Sequence, residues 1–211
     1  MTLLLGFHAL VHRPVFGLIP REWVGLGSCD AARVLAGEWW RSLTALSLHG
    51  DAAHALGNAV IGGTFLVLVC RRLGSGTGWV LALAAGALGN LCNALIQGPA
   101  HDSLGFSTAV FGAAAILAAS KAVRGEGRSL RAALGPVTAG LGLLAMLGTG
   151  GENTDLGAHF LGFGAGLLLG AAAGRLAERG LLPGRRAEAA LLALAFAALP
   201  AAWGLAFLLN G

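Results

Sequence analysis

Apolar runs long enough to cross a bilayer recur along nearly the whole chain, separated by short segments that hold the charges and the Gly or Pro breaks. A spanning helix needs about 20 apolar residues. A cleaved targeting segment explains one such run and not six or seven, so the pattern defines a polytopic helical membrane protein. Composition agrees: of 211 residues, 56% are hydrophobic and 11% are charged, and mean hydropathy is +0.75. The runs place seven helices at about 1–19, 42–70, 78–97, 106–120, 132–149, 155–176 and 187–209. The first is the weakest, because His8, His12, Arg13 and Pro14 interrupt it. Between the first two runs, residues 20–41 mix Arg21, Glu22, Arg33, Glu38 and Arg41 with Trp23, Trp39 and Trp40. Tryptophans beside charges suit the membrane–water interface, so this segment is expected to lie on the membrane rather than across it.

The net charge of +4 reports topology, and no nucleic-acid partner is expected. If the helices alternate in direction, Arg71, Arg72, Lys121, Arg124, Arg128, Arg131, Arg175, Arg179, Arg185 and Arg186 fall on one side. Only Arg13, Arg21, Arg33 and Arg41 fall on the other, where GPAHDS (98–103) and GTGGENTD (148–155) lack Lys and Arg. The positive-inside rule puts the richer side in the cytoplasm. Cys29, Cys70 and Cys92 have no metal-like spacing and read as small apolar residues. The histidines (His8, His12, His49, His54, His101, His159) are too scattered for a metal site.

Three stretches carry polar chemistry into apolar surroundings. In HGDAAHALGN (49–58), His54 and Asn58 are four apart and share a helix face in the outer half of the second helix, with His49 and Asp51 at its start. Such groups are costly in lipid and face a bundle interior or a wet cavity; an interhelical hydrogen bond is the plain alternative. In LGFSTAVFGAAA (104–115), Gly105-Phe106-Ser107 opens the fourth helix. Fifteen residues cover about 22 Å of a core of about 30 Å, so the loop before Ser107 is expected to dip below the surface. A serine at a helix N-terminus sits beside free N–H groups suited to an oxyanion, though it is also an ordinary N-cap. In DLGAHFLGFGAGLLLG (155–170), His159 lies at similar depth, and Gly162, Gly166 and Gly170 form a ridge for close helix approach. Asp155 reads as an N-cap, with orientation of His159 as the alternative. A serine paired with an imidazole is the minimum for nucleophilic catalysis.

Taken in order, these stretches resemble the rhomboid intramembrane serine proteases over about residues 38–170. Trp40-Arg41 matches the family's Trp-Arg pair. His49, His54 and Asn58 match its His-x4-His-x3-Asn pattern. Gly105 and Ser107 match its GxS motif, and Ala158, His159 and Gly162 its Ala-His-x-x-Gly motif. The resemblance implies an all-α, six-helix bundle (core about 38–176) with one extra C-terminal transmembrane helix, all in one membrane domain over 1–211. It implies Ser107 as nucleophile and His159 as general base, with His54, Asn58 and the Ser107 N–H binding the oxyanion. It implies transmembrane protein substrates, no cofactor and no metal. The expected location is a bacterial inner membrane, with the site opening to the non-cytoplasmic side. Thr108 departs from the glycine that many members carry after the serine. The alternative is an inactive rhomboid-like protein that binds transmembrane segments. A small transporter has only Asn90, Asn93 and Gln97 in its favour, which read equally as interhelical glue, and no internal repeat is evident.

Overall fold

The structure, a computed structural model, describes residues 1–14, 17–123, 138, 142 and 155–210. It is all-α: α1 (Thr2–Val11), α2 (Pro20–Gly27), α3 (Ala31–Leu35), α4 (Arg41–Thr44), α5 (Ala52–Leu73), α6 (Ser75–Gln97), α7 (Ser107–Val123), α8 (Leu156–Glu178) and α9 (Arg185–Asn210). Four of these, α5, α6, α8 and α9, are long and apolar enough to span a bilayer. Their outward faces carry large exposed apolar side chains such as Val60, Val67, Ile96, Phe160, Leu168 and Leu194, which only lipid accommodates at this density. The protein is a multi-pass membrane protein.

Helix α7 is the centre. It is apolar or small on every side, STAVFGAAAILAAS, and each residue from Ser107 to Ser120 except Phe111 is buried. A helix that is apolar all round belongs inside, and its Ala and Gly residues let α6 and α8 approach closely. The glycine ridge of α8 fits against it. A Cβ on Gly162 would stand 2.5 Å from the Thr108 carbonyl oxygen, one on Gly166 2.3 Å from that of Gly112, and one on Gly170 2.6 Å from that of Ile116. The four-residue spacing on α8 thus meets a four-residue spacing on α7.

Several expectations need correction. The first helix, expected over 1–19, ends at Val11, because Pro14 lacks an N–H and pushes its predecessor out of the α region. The second, expected from residue 42, is broken. Arg41–Thr44 forms one turn, a 3₁₀ turn follows at Ala45–Ser47, and continuous helix starts only at Ala52. Its end and the next start are separated by Gly74 alone, at φ +102°, so α6 starts at Ser75 rather than 78. The fifth expected helix, 132–149, lies outside the described residues apart from Thr138 and Gly142, both helical. In 20–41 no helix is long enough to cross. Trp23 and Trp40 of this segment are buried in the protein, and Trp39 is exposed (56%).

Polar ties fix which helix ends lie together. Arg72, at the end of α5, donates from Nε to Ser120 Oγ (2.9 Å) and from Nη2 to its carbonyl (3.1 Å) near the end of α7. Gly174, late in α8, lies against Ser120. Hence α5, α7 and α8 run parallel. The first turns of all three, which carry His54, Ser107 and His159, share the opposite face from these basic ends.

Candidate active site

Ser107 is the first residue of α7 and His159 lies in the first turn of α8. The glycine contacts described above bring the two helices together there. The His159 Nε2 to Ser107 Oγ distance is 2.7 Å, across 52 residues of sequence, and both side chains are buried. At this distance the hydroxyl can donate to Nε2 when the ring proton is on Nδ1, the tautomer a general base would need. That Nδ1 is buried with no hydrogen-bond partner among the described residues. What fixes the ring instead is Phe111, stacked on it at 4.3 Å with an interplanar angle of 11°. Phe111 follows Ser107 by one turn of the same helix, so the serine and the ring that stacks on His159 share a face.

Asp155 does not orient His159. One oxygen accepts the Ala158 N–H (2.9 Å), capping α8. The other accepts from Asn93 Nδ2 (2.6 Å) and meets His101 Nε2 (2.7 Å). Burial works to raise this carboxyl, but the Ala158 N–H and His101 outweigh it and hold Asp155 below the ordinary carboxylate range. Asn93 is thereby an interhelical tie, as is Asn90, whose Nδ2 donates to the Ser42 carbonyl (3.0 Å).

The 49–58 stretch closes the other side. Asp51 caps α5 by accepting the His54 N–H (2.8 Å), which sets His54 in the first turn. Its ring reaches the backbone of Gly105. A Cβ there would lie 2.8 Å from His54 Cε1, 3.1 Å from its Nε2 and 3.4 Å from Ser107 Oγ. Gly105 also has φ +130°, a conformation essentially reserved for glycine. Backbone and bare Cα together keep open a space that His54 and Ser107 both line. Asn58 is fully buried, and neither its amide nitrogen nor its amide oxygen has a partner among the described residues. It opens a π-helical turn, Asn58–Gly62, a distortion that often marks functional sites. An unpaired amide in a protein interior costs on the order of 1–3 kcal/mol, which a ligand oxygen would relieve.

His49 is part of the frame rather than the open space: its Nε2 accepts the Phe106 N–H (3.3 Å). Trp40 and Arg41 lie further off. Arg41 is fully buried, pairs with Glu38 (2.5 Å) and donates from Nη1 to the carbonyls of Gly25 (3.1 Å) and Ser28 (3.0 Å), and so braces the 25–47 segment. Trp40 belongs to a buried apolar cluster that also holds Trp23, Leu48 and Trp203. Thr108 turns its γ-methyl into the contact with Gly89 and Gly162 and leaves its N–H beside that of Ser107. Among the described residues no group of three His, Cys, Asp or Glu side chains could hold a metal ion. The sequence marked Asn93 as a polar group in an apolar helix and Asp155 as an N-cap, but not their joint contact with His101. The roles of Phe106 and Phe111 were not read from it, although Phe111 lies one turn beyond the serine.

Residues 36–176 match the family model described as Rhomboid domain. The chain is also 34% identical over 89 residues to the Rhomboid protease GluP of Bacillus subtilis (strain 168), a stretch that is 42% of this chain and 17% of that relative. The matched stretch thus covers less than a fifth of that longer protein.

Proposed function

The chain belongs to the rhomboid family, and from that premise we propose that it is an intramembrane serine endopeptidase acting through Ser107 and His159. The observation that carries the proposal is the 2.7 Å contact between Ser107 Oγ and His159 Nε2. His159 takes the hydroxyl proton as Oγ attacks the scissile carbonyl, then gives it to the leaving amine. The carbonyl oxygen, now anionic, is received by the Ser107 N–H at the start of α7, by the His54 ring and by the Asn58 amide nitrogen. Water, activated in turn by His159, releases the acyl-enzyme. His159 needs no carboxylate partner, because the Phe111 ring holds the imidazole in place.

The substrate is a membrane protein cut in or near a transmembrane segment. A helix exposes little backbone to attack, so segments with Gly or Ala near one end, which unwind readily, are preferred. The basic ends of α5, α7 and α8 face the cytoplasm. The site opens on the opposite face of a bacterial plasma membrane, where water reaches it.

A fluorogenic transmembrane substrate in liposomes tests this. Wild type is expected to cleave it, and Ser107→Ala and His159→Ala are each expected to abolish cleavage. Cleavage that survives Ser107→Ala sinks the assignment of the nucleophile. A folded wild type that cuts no substrate in a small-residue panel supports instead a protein that binds transmembrane segments without cutting.

A further inference from the structure

The C-terminal helix α9 lies outside the matched family domain, yet it is tied into the frame of the site. Near its start, Glu188 caps the N-terminus of α6, where its carboxylate accepts from the Gly76 N–H (2.7 Å), the Thr77 N–H (3.3 Å) and the Thr77 hydroxyl. Toward its other end, beyond the in-helix Pro200, Trp203 is buried and donates from Nε1 to Ser47 Oγ (3.0 Å) across 156 residues of sequence. The Ser47 hydroxyl itself donates to the Thr44 carbonyl (2.7 Å). Thr44 Oγ1 in turn donates to the Gly27 carbonyl (2.6 Å). The Trp203 ring covers Gly27 so closely that a Cβ there would stand 2.3 Å from it.

Ser47 is at the middle of a segment that holds the nucleophile loop at two points. The Ala45 carbonyl accepts the Gly105 N–H (2.9 Å) and His49 Nε2 accepts the Phe106 N–H (3.3 Å). Gly105 and Phe106 lead directly into Ser107. We propose that Trp203 is a positioning residue for catalysis: through Ser47 it fixes the 45–49 segment, and through that segment it fixes the backbone entering Ser107. Helix α9 is then a working part of the site rather than an appendage. This rests on the protease assignment above for its effect on rate, but not for its effect on the backbone.

Trp203→Phe keeps most of the ring and removes the N–H; Ser47→Ala removes its acceptor. Phe207→Ala thins the aromatic packing on Trp203, from which Phe207 stands 5.9 Å, and leaves the hydrogen bond in place. The measurements are amide hydrogen exchange over residues 104–107 in lipid nanodiscs, and steady-state cleavage. Trp203→Phe and Ser47→Ala are each expected to quicken exchange at 105–106 and to lower kcat about three- to ten-fold at constant KM. The double variant is expected to be no worse than either single one. Phe207→Ala is expected to lower Tm without quickening exchange there. The proposal is overturned if Trp203→Phe leaves exchange at 105–106 unchanged, if the two single effects simply add, or if Phe207→Ala reproduces them. If wild type cleaves nothing, the protease assignment fails, while exchange still decides the coupling.

Discussion

Gly162→Ala places a methyl group 2.5 Å from the Thr108 carbonyl oxygen and 2.7 Å from the Thr108 γ-methyl. Ordinary contact begins at 3.4 Å, so the shortfall against the carbonyl is about 0.9 Å (3.4 less 2.5). The obstacle is backbone, so no rotamer change relieves it and α8 must back away from α7. His159 is three residues before Gly162, and Ser107 immediately precedes Thr108. Most of that displacement therefore falls on the 2.7 Å contact between them. A misplacement of about 1 Å in a catalytic pair costs on the order of 10²-fold in rate, while overpacking costs about 1–3 kcal/mol in stability. Gly170→Ala meets a similar obstacle, 2.6 Å from the Ile116 carbonyl, two turns further from the site. Thermal unfolding and liposome cleavage, measured on both, separate the effects. The two variants should lose comparable Tm, with kcat/KM about 10²-fold lower for Gly162→Ala and less than about 10-fold lower for Gly170→Ala. Equal losses of activity in the two would refute the claim that this crossing sets the dyad distance.

Gly105→Ala is expected to be inactive yet folded, since its φ of +130° and the His54 ring both exclude a side chain; near-normal cleavage would contradict the cramped loop. Asn58→Ala is expected to lower kcat by about 10²–10³-fold with little loss of stability, because its amide has no partner among the described residues to leave behind. A large fall in Tm would assign Asn58 a structural role instead. Asp155 sits below the ordinary carboxylate range, so its charge stabilises the fold above the unfolded pKa and stops doing so as pH falls through the folded one. Asp155→Asn should therefore be less stable than wild type at pH 7, with the gap closing below about pH 4. A gap independent of pH would count against the His101–Asp155 pairing.

Much of the membrane architecture was legible because lipid imposes one rule on every long apolar run. The apolar runs located α6, α7, α8 and α9 within a few residues, since their ends coincide with charges, Gly or Pro. The stretch 42–51 misled because Leu43, Ala45, Leu46 and Leu48 are apolar for burial against the bundle, as the 0–1% exposure of Ala45, Leu46 and Leu48 records, and not for lipid. Trp23 and Trp40 are likewise buried in the protein, which an aromatic beside charges does not reveal in sequence. Ser107, His159, His54 and Asn58 stood out as polar groups in apolar helices, and the Gly162-Gly166-Gly170 spacing pointed to a close crossing. Its partner on α7 did not stand out, because a run of Ala and Gly is small on all faces. Contacts such as Trp203 with Ser47, or His101 with Asp155, depend on how distant elements pack and leave no periodic trace.

The most direct test of the central claim is covalent trapping. Membranes carrying the protein would be treated with a serine-reactive fluorophosphonate, and the modified residue mapped by peptide mass spectrometry. If His159 activates Ser107, a single adduct on Ser107 is expected that is lost in His159→Ala, since Nε2 stands 2.7 Å from the hydroxyl. An adduct on another residue, or equal labelling of Ser107 without His159, would contradict it.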